Sequence, residues 1–495
     1  MYYPRTRPRA HQSEALRRIK ERPTKPSDQD VFALLMDMGT GKSKVICDEW
    51  GERVEAGDLS DLVILAPAGC YRNWDLTQSP EEPGELDKHL NTELREHTRV
   101  VPWISGASAT QRRSLDALLA YNGPRVLNMN IEALSMVRRA RDLLEQFIAS
   151  SRRGVMLAVD ESTTIRSWDA DRTKHAIRIG RLARVRRILT GLVTPRSPMD
   201  LYSQYEFLDP RILGFRTFHG FRARHAILRK MQFGGRSFWT EVGYRDVDEL
   251  SEKIAPYSYR VLKDDCLDLD PKVYMPPWEV ELTDEQRRLY RELREYATAE
   301  LASMDYVTAT SVITQILRLH QVLCGHVTDE TGTTHEVPER RTAALLNILG
   351  SHSGKAVIWV PYEHTLLKVV KRLEEEYGEG CAARFWGGNR ATRGLEEARF
   401  KTDPTCRFMV ATPGAGGRGN TWVCANLVIY YANSYDLEHR SQSEDRTHRD
   451  GQTSSVTYID LVARGTVDEK IIKSLRAKIN MATAISGEDF REWLI

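Results

Sequence analysis

Residues 31–50 read Val-Phe-Ala-Leu-Leu-Met-Asp-Met-Gly-Thr-Gly-Lys-Ser-Lys-Val-Ile-Cys-Asp-Glu-Trp, and this stretch decides the fold. The apolar run Val31 to Met36 has strand character. Gly39-Thr40-Gly41-Lys42-Ser43 follows it, and Lys44 to Trp50 continues as a helix. A strand, a glycine-rich turn and a helix in that order set backbone N–H groups at a helix N-terminus, where they cradle phosphate. In such a loop Gly39, Thr40 and Gly41 curl around the phosphates, Lys42 reaches the outer ones, and the Ser43 hydroxyl holds Mg²⁺. The strict spacing asks for a glycine where Met36 stands, so the pattern is the looser form.

Two further pieces give the loop its meaning. Val155 to Val159 is an apolar strand that ends in Asp160-Glu161. Two carboxylates at a strand end are the expected partners of a phosphate loop: Asp160 holds Mg²⁺ and Glu161 orients the attacking water. Far downstream, Gln442, Arg446 and Arg449 are spaced for one face of a helix. Two arginines there can compensate charge developing on a γ-phosphate. Taken singly, Asp160-Glu161 reads as a solvated loop start. The arginine face likewise reads as a charged surface helix beside Glu444, Asp445 and Asp450. Together the three pieces predict ATP held in a cleft between two lobes, closed by binding and opened by hydrolysis.

The chain has 495 residues, 71 Lys+Arg, 69 Asp+Glu and 41% hydrophobic residues. That content excludes a disordered chain, and the net charge of +2 excludes a uniformly basic packaging protein. The seven cysteines are dispersed without a Cys-x-x-Cys pair, against a disulfide framework or a zinc site of usual spacing. No secretory signal or membrane-length apolar run stands out, and a soluble protein in a reducing, intracellular compartment is expected.

Strand-like runs at 31–36, 62–66, 125–128, 155–159 and 187–190 alternate with helical segments. A second series follows at 356–360, 383–386, 408–411, 427–431 and 456–461. Short buried strands alternating with helices imply parallel sheets covered on both faces. The expected class is α/β, with two RecA-like parallel-sheet lobes, a helical insertion and a helical linking segment. The expected boundaries are lobe one over 1–280, its insertion near 209–258, the link over 281–335, and lobe two over 336–495. Val467, Ile471, Ile472, Leu475 and Ile479 have the spacing of a packing helix.

These motifs, in this order, resemble a superfamily 2 helicase-type ATPase, most specifically the Swi/Snf-like branch of double-stranded DNA translocases. The resemblance runs from about residue 8 to about residue 480. Ala10-His11-Gln12 is similar to the family's adenine-reading segment, which implies a nucleotide contact by Gln12. Leu65-Ala66-Pro67 with Asn73-Trp74 resembles a DNA-facing motif, and Leu189-Thr190-Gly191 with Pro195 a coupling motif. Arg260 to Asp265 and Leu282 to Gln286 resemble the branch's linking segment. Ala415-Gly416-Gly417-Arg418-Gly419 resembles the second lobe's glycine-rich motif, implying nucleotide contacts by Gly417 and Gly419. Gln442 to Gln452 is the most specific stretch, and Gly465 to Ile471 resembles the element that follows it. There are departures: Ser162-Thr163 after Asp160-Glu161, Leu192-Val193 inside the coupling motif, Arg418, and Asn420-Thr421-Trp422.

The resemblance implies ATP and Mg²⁺ as cofactors, and sequence-independent binding of double-stranded or junction DNA. Pro67, Asn73, Asn128 and Thr412 are the candidate backbone contacts. Basic clusters at Arg138-Arg139-Arg141, Arg184-Arg186-Arg187 and Arg222 to Lys230 add candidates, those in the insertion foremost. The leading expectation is an ATP-driven translocase that remodels DNA or protein–DNA complexes. The alternatives are a strand-separating or branch-migrating helicase at forks, and an ATP-binding DNA clamp with little turnover, which Ser162-Thr163 motivates. With short insertions and no reader module in sight, replication or recombination in a bacterial or phage-infected cell is the expected setting.

Overall fold

The computed structural model describes residues 2–75, 77, 83–106, 108–191, 194, 197–233, 236–303, 317–329, 331–416, 420–433, 436–473 and 475. The chain divides into two compact units. The first holds the residues up to Ile227 and Glu241–Leu267; the second holds Leu228–Thr240 and Asp268 through the last described residue.

The first unit is built on β1 (Asp30–Met36), β2 (Asp61–Ala66), β3 (Arg99–Pro102), β4 (Arg125–Asn130), β5 (Val155–Asp160), β6 (Val185–Thr190) and β9 (Ser258–Val261). Their order is β3-β4-β2-β5-β6-β1-β9, and every pairing is parallel. A parallel sheet needs crossover helices on both faces, so its strands are buried on both sides. Val31 to Met36 and Leu62 to Ala66 are accordingly enclosed without alternation. The five expected strands of this series form. The two unforeseen ones, β3 and β9, are four-residue edge strands in which Arg99, Pro102, Ser258 and Arg260 break up any apolar run.

The expected helical insertion is mixed. The helices Pro210–Leu213, Phe218–His225 and Val247–Ile254 are present, but between them runs a hairpin of β7 (Ala226–Phe233) and β8 (Arg236–Tyr244). Gly234 and Gly235, between the two strands, lie outside the described residues. β8 reads Arg-Ser-Phe-Trp-Thr-Glu-Val-Gly-Tyr, rich in the aromatic and β-branched types that favour strands over helix.

The second unit carries β10 (Val273–Tyr274), β11 (Trp278–Glu279), a small antiparallel pair β12 (His326–Thr328) and β13 (Thr334–Glu336), then β14 (Lys355–Trp359), β15 (Ala382–Phe385), β16 (Phe408–Ala411), β17 (Ala425–Tyr430) and β18 (Thr457–Val462). The main sheet runs β10-β18-β17-β14-β16-β15, again parallel, with β11 also on β18. The five expected strands form. The expected boundary at residue 280 moves back to 267/268, because β10 and β11 pair with β18 of the second sheet. The helix Asp284–Ser303 supplies the expected helical segment after them. Val467, Ile471, Ile472 and Leu475 are buried as their spacing predicts; Ile479 lies outside the described residues.

Two histidines are enclosed in the second unit. The His320 ring is hydrogen-bonded to the Tyr362 hydroxyl at 2.9 Å, with Asp468 at 3.7 Å and Arg341 nearby. His326 faces Tyr362, His364 and Lys368. Burial is the largest cause holding both rings down at about 4, against 6.5 for a free ring. Their contribution is present above the free value and is lost as pH falls from 6.5 toward 4, because the unfolded chain takes up the protons first. Urea unfolding at pH 7.5 and pH 5 should show a loss of about 2–4 kcal/mol for this unit. His320→Asn should flatten that slope; an equal slope would remove His320 from the account.

Candidate nucleotide-binding site

The loop after β1 folds as its glycines require. Gly39 and Gly41 have φ of 83° and 88°, the left-handed region open to glycine, and Gly41 caps helix α2 (Lys42–Glu55). A Cβ on Gly41 would lie 2.2 Å from the Gln12 amide, so a side chain is excluded there twice over. Gln12 belongs to helix α1 (Ala10–Glu21). Its Nε2 donates to the Thr40 carbonyl at 3.0 Å, and its Oε1 accepts from Arg9 N–H at 2.9 Å. The His11 ring also bonds the Thr40 carbonyl, at 2.8 Å. Gln12 thus lies against the phosphate loop.

Lys42 is turned into the loop. Its ammonium donates to the Met36 carbonyl at 2.9 Å and the Asp37 carbonyl at 3.3 Å. Thr40 closes the turn by donating its hydroxyl to the Asp37 carbonyl at 2.7 Å. Ser43 lies half-buried in the first turn of α2. Such a turn offers N–H groups and the positive end of the helix dipole to an anion.

The sheet order explains why the other residues come here. β5, β6 and β1 are consecutive neighbours and parallel, so their C-terminal ends share one edge. Adjacent strands are about 4.8 Å apart, which sets Asp160 and the loop about 10 Å apart across the sheet. Asp160 Oδ2 accepts from the Trp74 indole N–H at 3.1 Å, and Oδ1 accepts from Glu161 N–H at 3.0 Å. Burial lifts the Asp160 carboxyl above the ordinary carboxylate range, and the charge of Lys42 opposes that lift. Glu161 adopts φ 49° and ψ 60°, a left-handed conformation costly for a residue with a Cβ. The departure Ser162 has a structural explanation. Its hydroxyl is buried and donates to Gln204 Oε1 at 2.7 Å, tying the carboxylate turn to the helix Leu201–Leu208.

Between those two strand ends, Gly191 follows β6. A Cβ there would stand 3.4 Å from Asp37 Cα, the Met36 carbonyl and Met38 N. The neighbouring Leu192, Val193 and Pro195 lie outside the described residues. On the far side, β9 braces the loop: Asp37 N–H donates to the Val261 carbonyl at 3.0 Å, and Lys263 N–H to Asp37 Oδ2 at 3.0 Å. Arg260 donates to the Gly191 carbonyl at 2.8 Å and approaches Asp37 at 3.6 Å. Sequence reading placed Arg260 to Asp265 in a linking segment. Its part in the loop was hidden because only the parallel pairing of β9 with β1 brings it there.

In the second unit the expected helical face is shorter than the spacing suggested. The helix Leu437–Glu444 ends before Arg446, so Gln442 is helical while Arg446 and Arg449 stand in the turns beyond. The arginines still converge. Arg446 donates to the Asn420 carbonyl at 2.8 Å and to the Gln442 carbonyl at 2.9 Å. Arg449 donates to the Thr421 hydroxyl at 2.9 Å and reaches the Asn420 carbonyl at 3.5 Å. The unusual Asn420-Thr421-Trp422 run is therefore what holds the two arginines. The Gln442 amide donates to Glu438 at 3.1 Å, while its buried Oε1 has no hydrogen-bond partner. Gly417 and Gly419, expected at a nucleotide, lie outside the described residues.

The expected nucleic-acid contacts fare unevenly. Asn73 beyond β2 and Thr412 after β16 are half-buried, whereas Pro67, directly after β2, is buried and offers no side-chain surface. Asn128 is fully enclosed on β4 and donates to Asp75 at 3.0 Å, so it braces the Asn73-Trp74 turn instead of offering a surface. Trp74 is buried on Asp160, and Trp422 is buried in the core. Arg187 is enclosed by Asp30 at 2.7 Å and Glu49 at 2.5 Å. In the insertion Arg222 pairs with Glu241 at 2.8 Å, and Arg224 with Glu249 at 2.9 Å. Enclosure of Arg187 corrects its reading as a phosphate contact, while Arg222 and Arg224 keep part of their guanidinium at the surface. Among the described residues no group of three or more His, Cys, Asp and Glu could hold a metal ion, and no helix is long and apolar enough to cross a membrane.

An SNF2-related domain matches residues 38–327, more than half of the chain. The chain belongs to the SNF2-related family. A helicase conserved C-terminal domain matches residues 340–451. The two together make this SNF2-related chain an ATP-hydrolysing enzyme of the superfamily 2, helicase type. It is 23% identical to human TATA-binding protein-associated factor 172, over 90% of this chain and 27% of that protein. It is 23% identical to an uncharacterised ATP-dependent helicase of Mycoplasma genitalium, over 93% of this chain and 41% of that one. The human DNA annealing helicase and endonuclease ZRANB3 is 26% identical over 63% of this chain and 28% of its own length. The chain thus spans well under half the length of these relatives. The SWI2/SNF2 ATPase core of Sulfolobus solfataricus in complex with dsDNA aligns over 100% of this chain and 96% of its own, at 19% identity and TM-score 0.41.

Proposed function

We propose that this SNF2-related enzyme is an ATP-driven translocase that moves along duplex DNA without reading its sequence and remodels DNA or protein–DNA complexes. The observation that carries the reading is the shared edge of β5, β6 and β1, which gathers the phosphate loop, Asp160-Glu161 and Gly191. Family membership and a relative named as a DNA helicase support DNA as the track. Lys42 and the loop N–H groups bind the phosphates, Glu161 orients the attacking water, and Gln12 closes on the base. Arg446 and Arg449 supply positive charge to the transferring phosphoryl group. The Ser43 hydroxyl and the Asp160 carboxylate are hard oxygen donors suited to Mg²⁺, which neutralises phosphate charge when bound. Asn73 and Thr412, half-buried beyond the C-terminal ends of β2 and β16, are the proposed backbone contacts. Such an enzyme works inside the cell, where DNA is.

The test is ATP hydrolysis at low salt with no DNA, single strands, plain duplex and a forked junction. The expected result is stimulation by plain duplex that falls steeply as salt rises. Stimulation chiefly by single strands or forks would replace the translocase with a strand-separating or branch-migrating helicase. No stimulation by any of them would favour a slow ATP-binding clamp.

A further inference from the structure

The chain leaves the first unit through residues 258–267 and enters the second through residues 268–279. Both ends of this run are bonded to the motifs described above, each within its own unit. In the first unit β9 and Lys263 brace Asp37 of the phosphate loop. In the second, the same run grips the arginine-bearing segment at two points. The Asp270 carbonyl is hydrogen-bonded to His448 Nε2 at 2.8 Å, one residue before Arg449. Lys272 Nζ donates to Glu444 Oε2 at 2.9 Å, and the Tyr274 hydroxyl donates to the same oxygen at 2.7 Å.

Glu444 is the last residue of its helix and is itself locked from behind. Its other oxygen accepts from Arg440 at 2.7 Å, and Arg440 lies 3.6 Å over the Tyr430 ring and also pairs with Asp460 on β18. The Tyr274 ring stacks on Tyr458 at 5.2 Å, and β10 pairs with β18. Burial works against ionisation of Glu444, but Lys272 and Arg440 together outweigh it and hold the carboxyl down at about 2, so it stays charged. A buried carboxylate shared by two cations and a phenol has one favourable geometry and is costly to disturb. The turn that follows it, carrying Arg446 and Arg449, inherits that geometry.

We infer that Lys272 and Tyr274, with the Asp270 carbonyl, are positioning residues that hold the arginine turn from the connecting run. This rests on the proposed role of Arg449 in hydrolysis. Lys272 and Tyr274 lie outside every motif used to recognise the site. The run that holds the arginine turn in the second unit is continuous in sequence with the run that braces Asp37 in the first.

The experiment is a double-variant cycle on ATP hydrolysis by the full chain. Arg449→Ala alone should lower kcat about 10³-fold. Lys272→Met should lower kcat about tenfold while the ATP KM changes by less than about twofold, since a misplaced charge is felt in the transition state. Lys272→Arg should restore the rate to within about twofold, and Tyr274→Phe should lose about threefold. In the Arg449→Ala background both losses should vanish, because the group they position is gone. Should Lys272→Met fold poorly, the milder Tyr274→Phe, which removes one hydroxyl from a half-exposed ring, carries the cycle. Losses that multiply in the double variants, or Lys272→Met and Tyr274→Phe at the wild-type rate beside a slow Arg449→Ala, would overturn the positioning role alone. Arg449→Ala at the wild-type rate would overturn the arginine role and the positioning role with it.

Discussion

Lys42→Ala is expected to lower ATP hydrolysis by about 10³-fold or more, with ATP binding weakened as well. The ammonium is held within the loop by two of the loop's own carbonyls, at 2.9 and 3.3 Å. It is therefore aimed before any phosphate arrives and loses little freedom on binding one. Alanine removes the charge and leaves both carbonyls without that donor. Lys42→Arg should not rescue, because a planar fork is a poor substitute for a compact point charge seated between two carbonyls. Steady-state hydrolysis and binding of a fluorescent ATP analogue are the measurements. A rate within tenfold of wild type would show that the loop does not handle the reacting phosphate.

Arg341→Ala should cost the second unit about 3–5 kcal/mol. Arg341 is enclosed, with an ion pair to Asp468 and hydrogen bonds to the Tyr431 carbonyl at 2.5 Å and the Leu461 carbonyl at 3.4 Å. Asp468 also accepts from Ala463 N–H at 2.9 Å, so one carboxylate joins the end of β18 to the helical turn that begins at Val467. Removing the guanidinium strands a buried negative charge and two carbonyls. The melting temperature should fall by about 10 °C, read by calorimetry. Arg341→Met with Asp468→Leu should recover the part of the loss that comes from the unpaired charge, while the Tyr431 and Leu461 carbonyls and Ala463 N–H still lose these partners. A drop under about 1 kcal/mol for Arg341→Ala would mean that water reaches Asp468.

Much of this was legible beforehand, for identifiable reasons. Nine interior strands and the edge strand β15 are legible because a parallel sheet covered on both faces writes its strands as largely apolar runs. The phosphate loop was found because a left-handed turn before a helix admits few residues other than glycine. The strands β3, β9, β10 and β11 were missed because two to four residues give no run to read, and Arg and Pro interrupt β3 and Arg interrupts β9. Missing β9 hid the bracing of Asp37 by Arg260 and Lys263. The helical spacing of Gln442, Arg446 and Arg449 ran past the real helix end at Glu444, since the periodicity of charged residues carries no information on where a helix stops. The basic clusters misled for the same reason: charge is visible in a sequence, but its partner 138 residues away, as with Arg187 and Glu49, is not.

The pairing of β10 with β18 has a consequence for how the molecule is made. The first sheet can close once β9 has left the ribosome, whereas Tyr274 must wait for Tyr458. At about 5–20 residues per second that interval is roughly 10–40 s. During it the nascent chain carries a finished first unit followed by strand residues with no neighbour to pair with. A message cut short before β18 would yield a polypeptide whose phosphate loop is folded and braced but whose arginine turn has nothing to set it.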